Sequence, residues 1–365
     1  MTLSLGGITL AMASLLSMTQ QAWLPMYVGT YTATDSKGIY YYQFNQDNGE
    51  AKELTATPAS NPSYLAFSAD KRTLYAVNES DTDADGAQAF AIGETGQLQP
   101  LSSYPTDGKA PCYIQSFNDM VLTANYNGGS IALFSCQPEG DLKGKLQTLE
   151  FPLTGPAPDK KRQNAAHLHC VVPSPDKKYI FACDLGNDCI YTLTANPTDA
   201  TPLTVVNRTD LKAGSGPRHL TFAPNGEYAY VITELSGEVL VFKVSDKELQ
   251  LQQTIDCDPA DARGSADIRI TPDGRFLYAS NRLKNDGISI YAIHPTNGTL
   301  RLIGYQTTGV HPRNFAITPN GKFLLCACRD SNRIEVYAIN EETGLLTNTH
   351  QDIQLPMPVC VLLGE

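Results

Sequence analysis

The sequence predicts an all-β fold, a seven-bladed β-propeller with four antiparallel strands per blade. Three observations predict it. A unit of strands and tight turns recurs six times, successive units are spaced by 47 to 57 residues, and the two chain ends hold complementary parts of a seventh unit. That period is one of propeller blades rather than of helical repeats.

The unit itself comes first. NPSYLAFSADKRTLYAVNES begins at Asn61, APCYIQSFNDMVLTANYNGGS at Ala110, HLHCVVPSPDKKYIFACDLGND at His167, GPRHLTFAPNGEYAYVITELSG at Gly216, SADIRITPDGRFLYASNRLKND at Ser265 and HPRNFAITPNGKFLLCACRDSN at His311. Each reads as an alternating strand, a turn of the Pro-Asp-Gly or Pro-Asn-Gly kind, and a second strand rich in aromatic and small residues. Turn residues such as Asp176 and Asp273 are expected to do no more than form those turns. A third strand follows, such as GISIYAI or RIEVYAI, and a fourth after a Gly-containing turn, as in NGTLRLIG. The seventh unit is composite: MPVCVLLGE from Met357 supplies the first strand, and YVGTYTATDSKGIYYYQF from Tyr27 the second and third. Closing the ring this way leaves no open sheet edge. No Pro/Gly/Ser linker divides the chain, so residues 26–365 are expected to form one domain.

Composition fits a globular protein with a sizeable core, at 365 residues, 42% hydrophobic and 18% charged. A formal net charge of -11 repels phosphodiester backbones and argues against nucleic acid as the main partner. A small anionic ligand would then need a local cluster of Arg. The nine Cys show no CxxC pair and no CxxCH haem motif, so they are expected as buried thiols without a disulfide framework. Residues 1–25 stand apart, because LSLGGITLAMASLLSM (residues 3–18) is apolar and uncharged like the core of a signal peptide. It lacks the usual preceding basic residues, and it is too short for a membrane span. The segment favours export to the periplasm; a cytoplasmic protein with an N-terminal extension is the alternative. After any cleavage no membrane contact is expected, and the protein is expected as a monomer or weak homo-oligomer.

A repeat supplies its own control, since residues needed only for packing should recur in kind. Six positions before the Pro of each turn, the column reads Ser63, Cys112, His169, Arg218, Ala266 and Arg313, with Val359 in the composite blade. Ten positions after that Pro, at the end of the second strand, a second column reads Glu79, Leu185, Glu234, Arg282 and Arg329, joined by Tyr126 and Tyr31. The start of one strand and the end of its hairpin partner lie at the same rim, so both columns face one mouth of the central channel. Charged residues there have no use in a core. The alternatives are inter-blade salt bridges for Arg329 with Glu79 and for Arg218 with Glu234, and packing for His167 and His169. The His167/His169 pair lacks a third ligand at a telling spacing, so no metal is expected.

At these residues the sequence resembles the lactonase family of seven-bladed propellers, which includes bacterial 6-phosphogluconolactonases and fungal carboxy-muconate lactonizing enzymes. The resemblance covers about residues 26–365 and rests on YVGTYT, NPSYLAFS, ANYNGGSIALF, HLHCVVPSPD, GPRHLTFAPNGEYAYVITEL, ADIRITPDGRFLYASNR and HPRNFAITPNGKFL in that order. It implies His169, Arg218, Glu234 and Arg282 as catalytic residues, and a small sugar lactone as the partner, with no metal or organic cofactor. Substrate and direction stay open, because the fungal relatives close a lactone and the bacterial ones open it.

Opening a δ-lactone needs an activated water, a place for the developing oxyanion and a grip on the sugar. His169 or Glu234 is expected as general base and Arg218 or Arg282 at the oxyanion. Arg313, Arg329, Glu79, His167, Asn125 and Asn127 are expected to bind substrate. The loop PDKKRQN (158–164) is either a solvated insertion or a basic flap that brings Lys160, Lys161 or Arg162 to an anionic substrate. A 6-phosphogluconolactone substrate points to the cytoplasm, whereas export favours an unphosphorylated sugar lactone. The competing class is a non-enzymatic propeller that holds a protein or polymer on its rim.

Overall fold

The structure, a computed structural model, describes residues 22–82 and 86–364. Most of the apolar segment assigned to residues 1–25, with its signal-peptide assignment, lies outside the described residues. Within them Trp23 already opens the first strand.

Seven sheets form a ring of blades, each with four antiparallel strands ordered from channel to rim. Blade 1 is the composite one. Its inner strand is Pro358–Leu363, followed outward by Trp23–Thr30, Gly38–Asn45 and Ala51–Pro58. Blades 2 to 7 follow in chain order, with inner strands Leu65–Phe67, Pro111–Phe117, Leu168–Pro173, Pro217–Phe222, Ser265–Ile270 and Pro312–Ile317. In blade 7 the short strand Ile353–Gln354 also pairs with the third strand, Arg333–Ile339. Each inner strand packs against the next around the ring, and the C-terminal strand packs against both blade 7 and blade 2.

Second strands such as Tyr228–Thr233 and Phe276–Asn281 are buried along their whole length, whereas outer strands such as Glu248–Asp256 expose most residues. The core therefore lies between blades. One contact recurs there: a Tyr hydroxyl of a second strand donates to the carbonyl of a Gly in the outer hairpin of the next blade. The pairs are Tyr27 with Gly96, Tyr75 with Gly140, Tyr230 with Gly298 and Tyr278 with Gly344, at 2.6 to 2.8 Å. These glycines have φ between +66° and +90°, a region open to glycine at little cost.

The feature that builds the site is a bulge at the start of the inner strands. Leu168 pairs with Asp184 and Cys170 with Cys183, which leaves His169 as the extra residue. The same register shift leaves out Arg218 in blade 5, Arg313 in blade 7, Cys112 in blade 3 and Val359 in blade 1. In blade 6 the pair Ala266–Asp267 is skipped. A bulged residue leaves the alternation of its strand, so its side chain is re-aimed. The first column of sequence departures is thus a column of bulges.

Removing one of the Tyr–Gly latches should loosen two blades at once. Tyr230→Phe leaves a buried carbonyl unpaired and is expected to cost about 1 to 2 kcal/mol. Gly298→Ala adds a methyl 2.5 Å from the Tyr228 ring at a φ of +66° and is expected to cost more, about 3 kcal/mol. Urea-unfolding midpoints check both; an unchanged midpoint in Tyr230→Phe would mean the latch carries no stability.

Candidate active site

At the mouth where the bulges open, a cavity of about 280 Å³ is lined by Arg162, His169, Glu234, Arg282, Arg313 and Arg329, among others. Its remaining walls include Tyr31, Glu79, Cys112, Tyr126 and His311. Inner-strand starts and second-strand ends supply most of these, as the two columns require. A larger chamber of about 400 Å³ lies at the opposite end of the inner strands, where Arg269 is the only charged residue among its described walls. Between the two stand the stacked Tyr64 and Tyr113, ring centres 4.0 Å apart, with His219 edge-on to both.

Glu234 is the centre of the charge arrangement. Its Oε2 meets Arg218 Nε at 2.9 Å and Arg282 Nη2 at 3.3 Å, and its Oε1 meets Arg162 Nη2 at 2.5 Å. Burial alone would raise this carboxyl, but Arg282, Arg218 and Arg162 outweigh it and hold it at about 2. Arg218 also donates to the Ala266 carbonyl at 2.6 Å and from Nη1 to His219 Nε2 at 3.2 Å. His219 in turn reaches Asp267 through Nδ1 at 2.8 Å. Only 1% of Arg218 is exposed, so it lies behind Glu234 and braces it.

Arg282 is similarly committed. Its Nε donates to the Gly264 carbonyl at 2.7 Å, and its Nη1 faces His311 Nε2 at 3.3 Å. Burial lowers its pKa to about 9, with Glu234 opposing, so it is still a cation at neutral pH. The more open guanidiniums are Arg313, Arg329 and Arg162, whose side chains are 15%, 26% and 37% exposed. Arg329 pairs with Asp330 through Nε at 2.6 Å and Nη2 at 2.9 Å. Arg313 lies over the Tyr31 ring, with Nη2 3.7 Å from Glu79 Oε2.

Both cavity histidines are neutral. Burial pushes His169 well below the ordinary imidazole range, with Arg218, His219 and Arg313 adding to it. Burial and the neighbouring Arg282, Arg329 and Arg313 take His311 down to about 2. His169 Nδ1 lies 3.6 Å from Cys112 Sγ. His311 stands at φ +64° before Pro312, a backbone state that costs a non-glycine residue on the order of 1 kcal/mol or more.

The remaining expected site residues lie elsewhere. His167 is stacked on Tyr126 and tied to its carbonyl at 2.9 Å, beside the cavity and not on its wall. Asn125 is buried and donates to Ser130 Oγ at 2.9 Å. Asn127 is exposed and donates to Asp81 at 2.7 Å. From the 158–164 loop Arg162 enters the cavity, while Lys160 and Lys161 stay exposed. The loop is fastened by Arg263 Nη2 to Asp159 Oδ2 at 2.7 Å and by Gln163 to the Leu185 carbonyl at 3.0 Å. His311 was not anticipated; it stands where other blades carry Asn61, Ala110, His167, Gly216, Gly264 and Met357, and a His shared with only one other blade was its signal.

The family described as lactonase, 7-bladed beta-propeller, matches residues 25–363. The chain belongs to this lactonase family. One curated relative, 6-phosphogluconolactonase of Formosa agariphila, is 38% identical over 90% of this chain and 96% of its own length. Among solved lactonase-like structures, a Bacteroides fragilis protein described as a candidate 6-phosphogluconolactonase is 45% identical with a TM-score of 0.92, covering 95% of this chain and 99% of that one. The periplasmic gluconolactonase of Pseudomonas aeruginosa is 33% identical with a TM-score of 0.88, covering 93% and 99%.

The depressed histidines of this lactonase fold make stability depend on pH. His219 falls to about 4 through burial and Arg218, despite Asp267; His311 falls to about 2, and burial lowers His169 as well. Below an unfolded pKa near ~6.5, the unfolded chain takes up these protons and the folded one does not, at about 1.4 kcal/mol per pH unit for each group. Glu234 acts in the same direction, its contribution being present above ~4.3 and lost towards its folded value of about 2. Urea midpoints should therefore fall steadily from pH 6.5 to 4.5, and less steeply in His219→Asn. A flat profile would mean that these imidazoles are protonated in the native state.

Proposed function

We propose that this protein is a lactonase that opens a phosphorylated sugar δ-lactone, with 6-phosphoglucono-1,5-lactone as substrate and 6-phosphogluconate as product. The observation that carries the reading is charge. Four guanidiniums, from Arg162, Arg282, Arg313 and Arg329, line one cavity with Glu79 and Glu234, backed by Arg218 behind Glu234 and by Asp330 beside Arg329. The chain around them carries a net charge of -11. A local cationic excess in an acidic molecule selects a small anion and repels polyanions.

Exposure sorts the guanidiniums by task. Arg218 and Arg282 are spent on Glu234 and on backbone carbonyls, and together they fix the floor. Arg313, with Nε and Nη1 uncommitted among the described residues, is placed to meet the carbonyl oxygen as it gains charge. Arg162 and Arg329, the most open, suit a phosphate at the rim. Neutral His169 offers an N–H to a sugar hydroxyl. Glucono-δ-lactone is the second reading, favoured by the likeness to the Pseudomonas aeruginosa gluconolactonase.

Proton release from fresh 6-phosphoglucono-δ-lactone and glucono-δ-lactone, corrected for spontaneous hydrolysis, tests this. Arg162→Ala and Arg329→Ala should each raise KM for the phosphorylated lactone about tenfold, the value of one charge-assisted contact, and leave kcat/KM for glucono-δ-lactone within about twofold. Lys160→Ala with Lys161→Ala should change neither. Equal losses on both lactones would assign Arg162 and Arg329 to the framework and the substrate to the unphosphorylated class.

A further inference from the structure

The cavity holds two carboxylates that could act on water, and their surroundings differ sharply. Both oxygens of Glu234 are already met by guanidiniums, three in all. A carboxylate held so firmly as an anion is a poor proton acceptor. Its side chain is only 6% exposed, against 17% for Glu79. Asp330 is gripped at both oxygens by Arg329. His169 and His311 are crowded by cations that disfavour a further positive charge, and at His311 these outweigh Asp330, whose Oδ2 lies 3.4 Å from Nδ1.

Glu79 stands apart. Its contacts are hydroxyls, with Tyr31 OH 3.0 Å from each oxygen and Ser63 Oγ donating to Oε2. Among the described residues the one guanidinium paired with it is Arg313, at 3.7 Å from Oε2. Oε1 takes a hydrogen bond from Tyr31 alone among these residues, and the side chain, 17% exposed, lines the cavity. Tyr31 stays a neutral donor, because burial raises its phenol; Arg313 opposes this and Glu79 adds to it. The three residues come from matching places in the repeat: Tyr31 and Glu79 share a column in adjacent blades, and Ser63 belongs to the other column, just before the inner strand Leu65–Phe67.

We propose that Glu79 is the general base of this site, oriented by Tyr31 and Ser63 and set beside the guanidinium that receives the oxyanion; the proposal rests on the lactonase reading above. A water between Glu79 Oε1 and the lactone gives its proton to the carboxylate as its oxygen bonds to the carbonyl carbon. The carbonyl oxygen becomes an oxyanion against Arg313. As the carbonyl re-forms, the bond from C1 to the ring oxygen breaks, and protonated Glu79 returns the proton to that oxygen. The ring-opened acid then loses its own proton to solvent. No oxidant, reductant or second substrate is required. Glu234 becomes a structural anion that keeps three guanidiniums together.

The test is the pH dependence of steady-state hydrolysis for the wild type, Glu79→Gln and Glu234→Gln on 6-phosphoglucono-δ-lactone. Gln at 79 keeps the acceptor for Tyr31 and Ser63 but takes no proton. It should lower kcat at least 100-fold with KM within threefold, and it should abolish the acidic limb of the kcat/KM profile. Glu234→Gln should keep that limb while KM rises. A Glu79→Gln enzyme within threefold of wild-type kcat, or with its acidic limb intact, overturns the proposal. If that variant does not fold, Glu79→Asp decides: a kcat loss of tenfold or more at constant KM supports the base, and a change in KM alone overturns it. A wild type with no rate above buffer on either lactone would instead sink the lactonase reading itself.

Discussion

One extra residue at the start of the inner strands is the constraint on which the site depends. Arg218 and Arg313 would point along the normal alternation of a sheet if the register ran on unbroken. The bulge breaks it between Pro217 and His219 and between Pro312 and Asn314, and each long side chain swings into the channel mouth. His169 and Cys112 arrive the same way in neighbouring blades. Because pseudo-symmetry repeats the device, residues separated by scores of positions in sequence meet within one cavity of about 280 Å³. Rigid strands position them, and the inter-blade packing holds the strands.

Gathering cations in this way is costly, and the structure offsets the cost with a connected set of anions and neutral acceptors. Glu234 takes three guanidiniums, and Arg218 finds a carbonyl and His219. Asp267, fully buried, anchors His219 and also takes a hydrogen bond from Asn314 Nδ2 at 2.7 Å. It lies 3.3 Å from Arg269, which opens on the other chamber. The polar chain crosses the whole channel, so the two mouths are linked by matched charges through a floor of stacked rings. A buried ion pair of this kind adds little net stability, because the cost of taking both charges out of water offsets their attraction.

Much of this was legible in the sequence because the fold repeats. Strand order, blade count and the composite closure follow from the turn signals and their period, and the departures at His169, Arg218, Glu234, Arg282, Arg313, Arg329 and Glu79 do gather at one mouth of the channel. Depth was not legible. The column placed Arg218 beside Arg313, yet Arg218 sits 1% exposed behind Glu234 because its guanidinium turns to Ala266 and His219. Asn125 and Asn127 fall in a suggestive NYNGG motif, but Asn125 is buried against Ser130 of its own hairpin and Asn127 reaches across to Asp81 of the preceding blade. Arg162 and His311 belong to loops between blades, where position is set by tertiary ties such as Arg263 to Asp159 that no strand pattern encodes.

The central claim is that the bulged mouth, with its excess of guanidiniums, is where a phosphorylated sugar acid is held. Crystals grown with 6-phosphogluconate measure this directly. The phosphate is expected within hydrogen-bond reach of Arg162 and Arg329, with the carboxylate carbon between Arg313 and Glu79. A ligand seated instead in the opposite chamber against Arg269, or at neither mouth, would contradict the account.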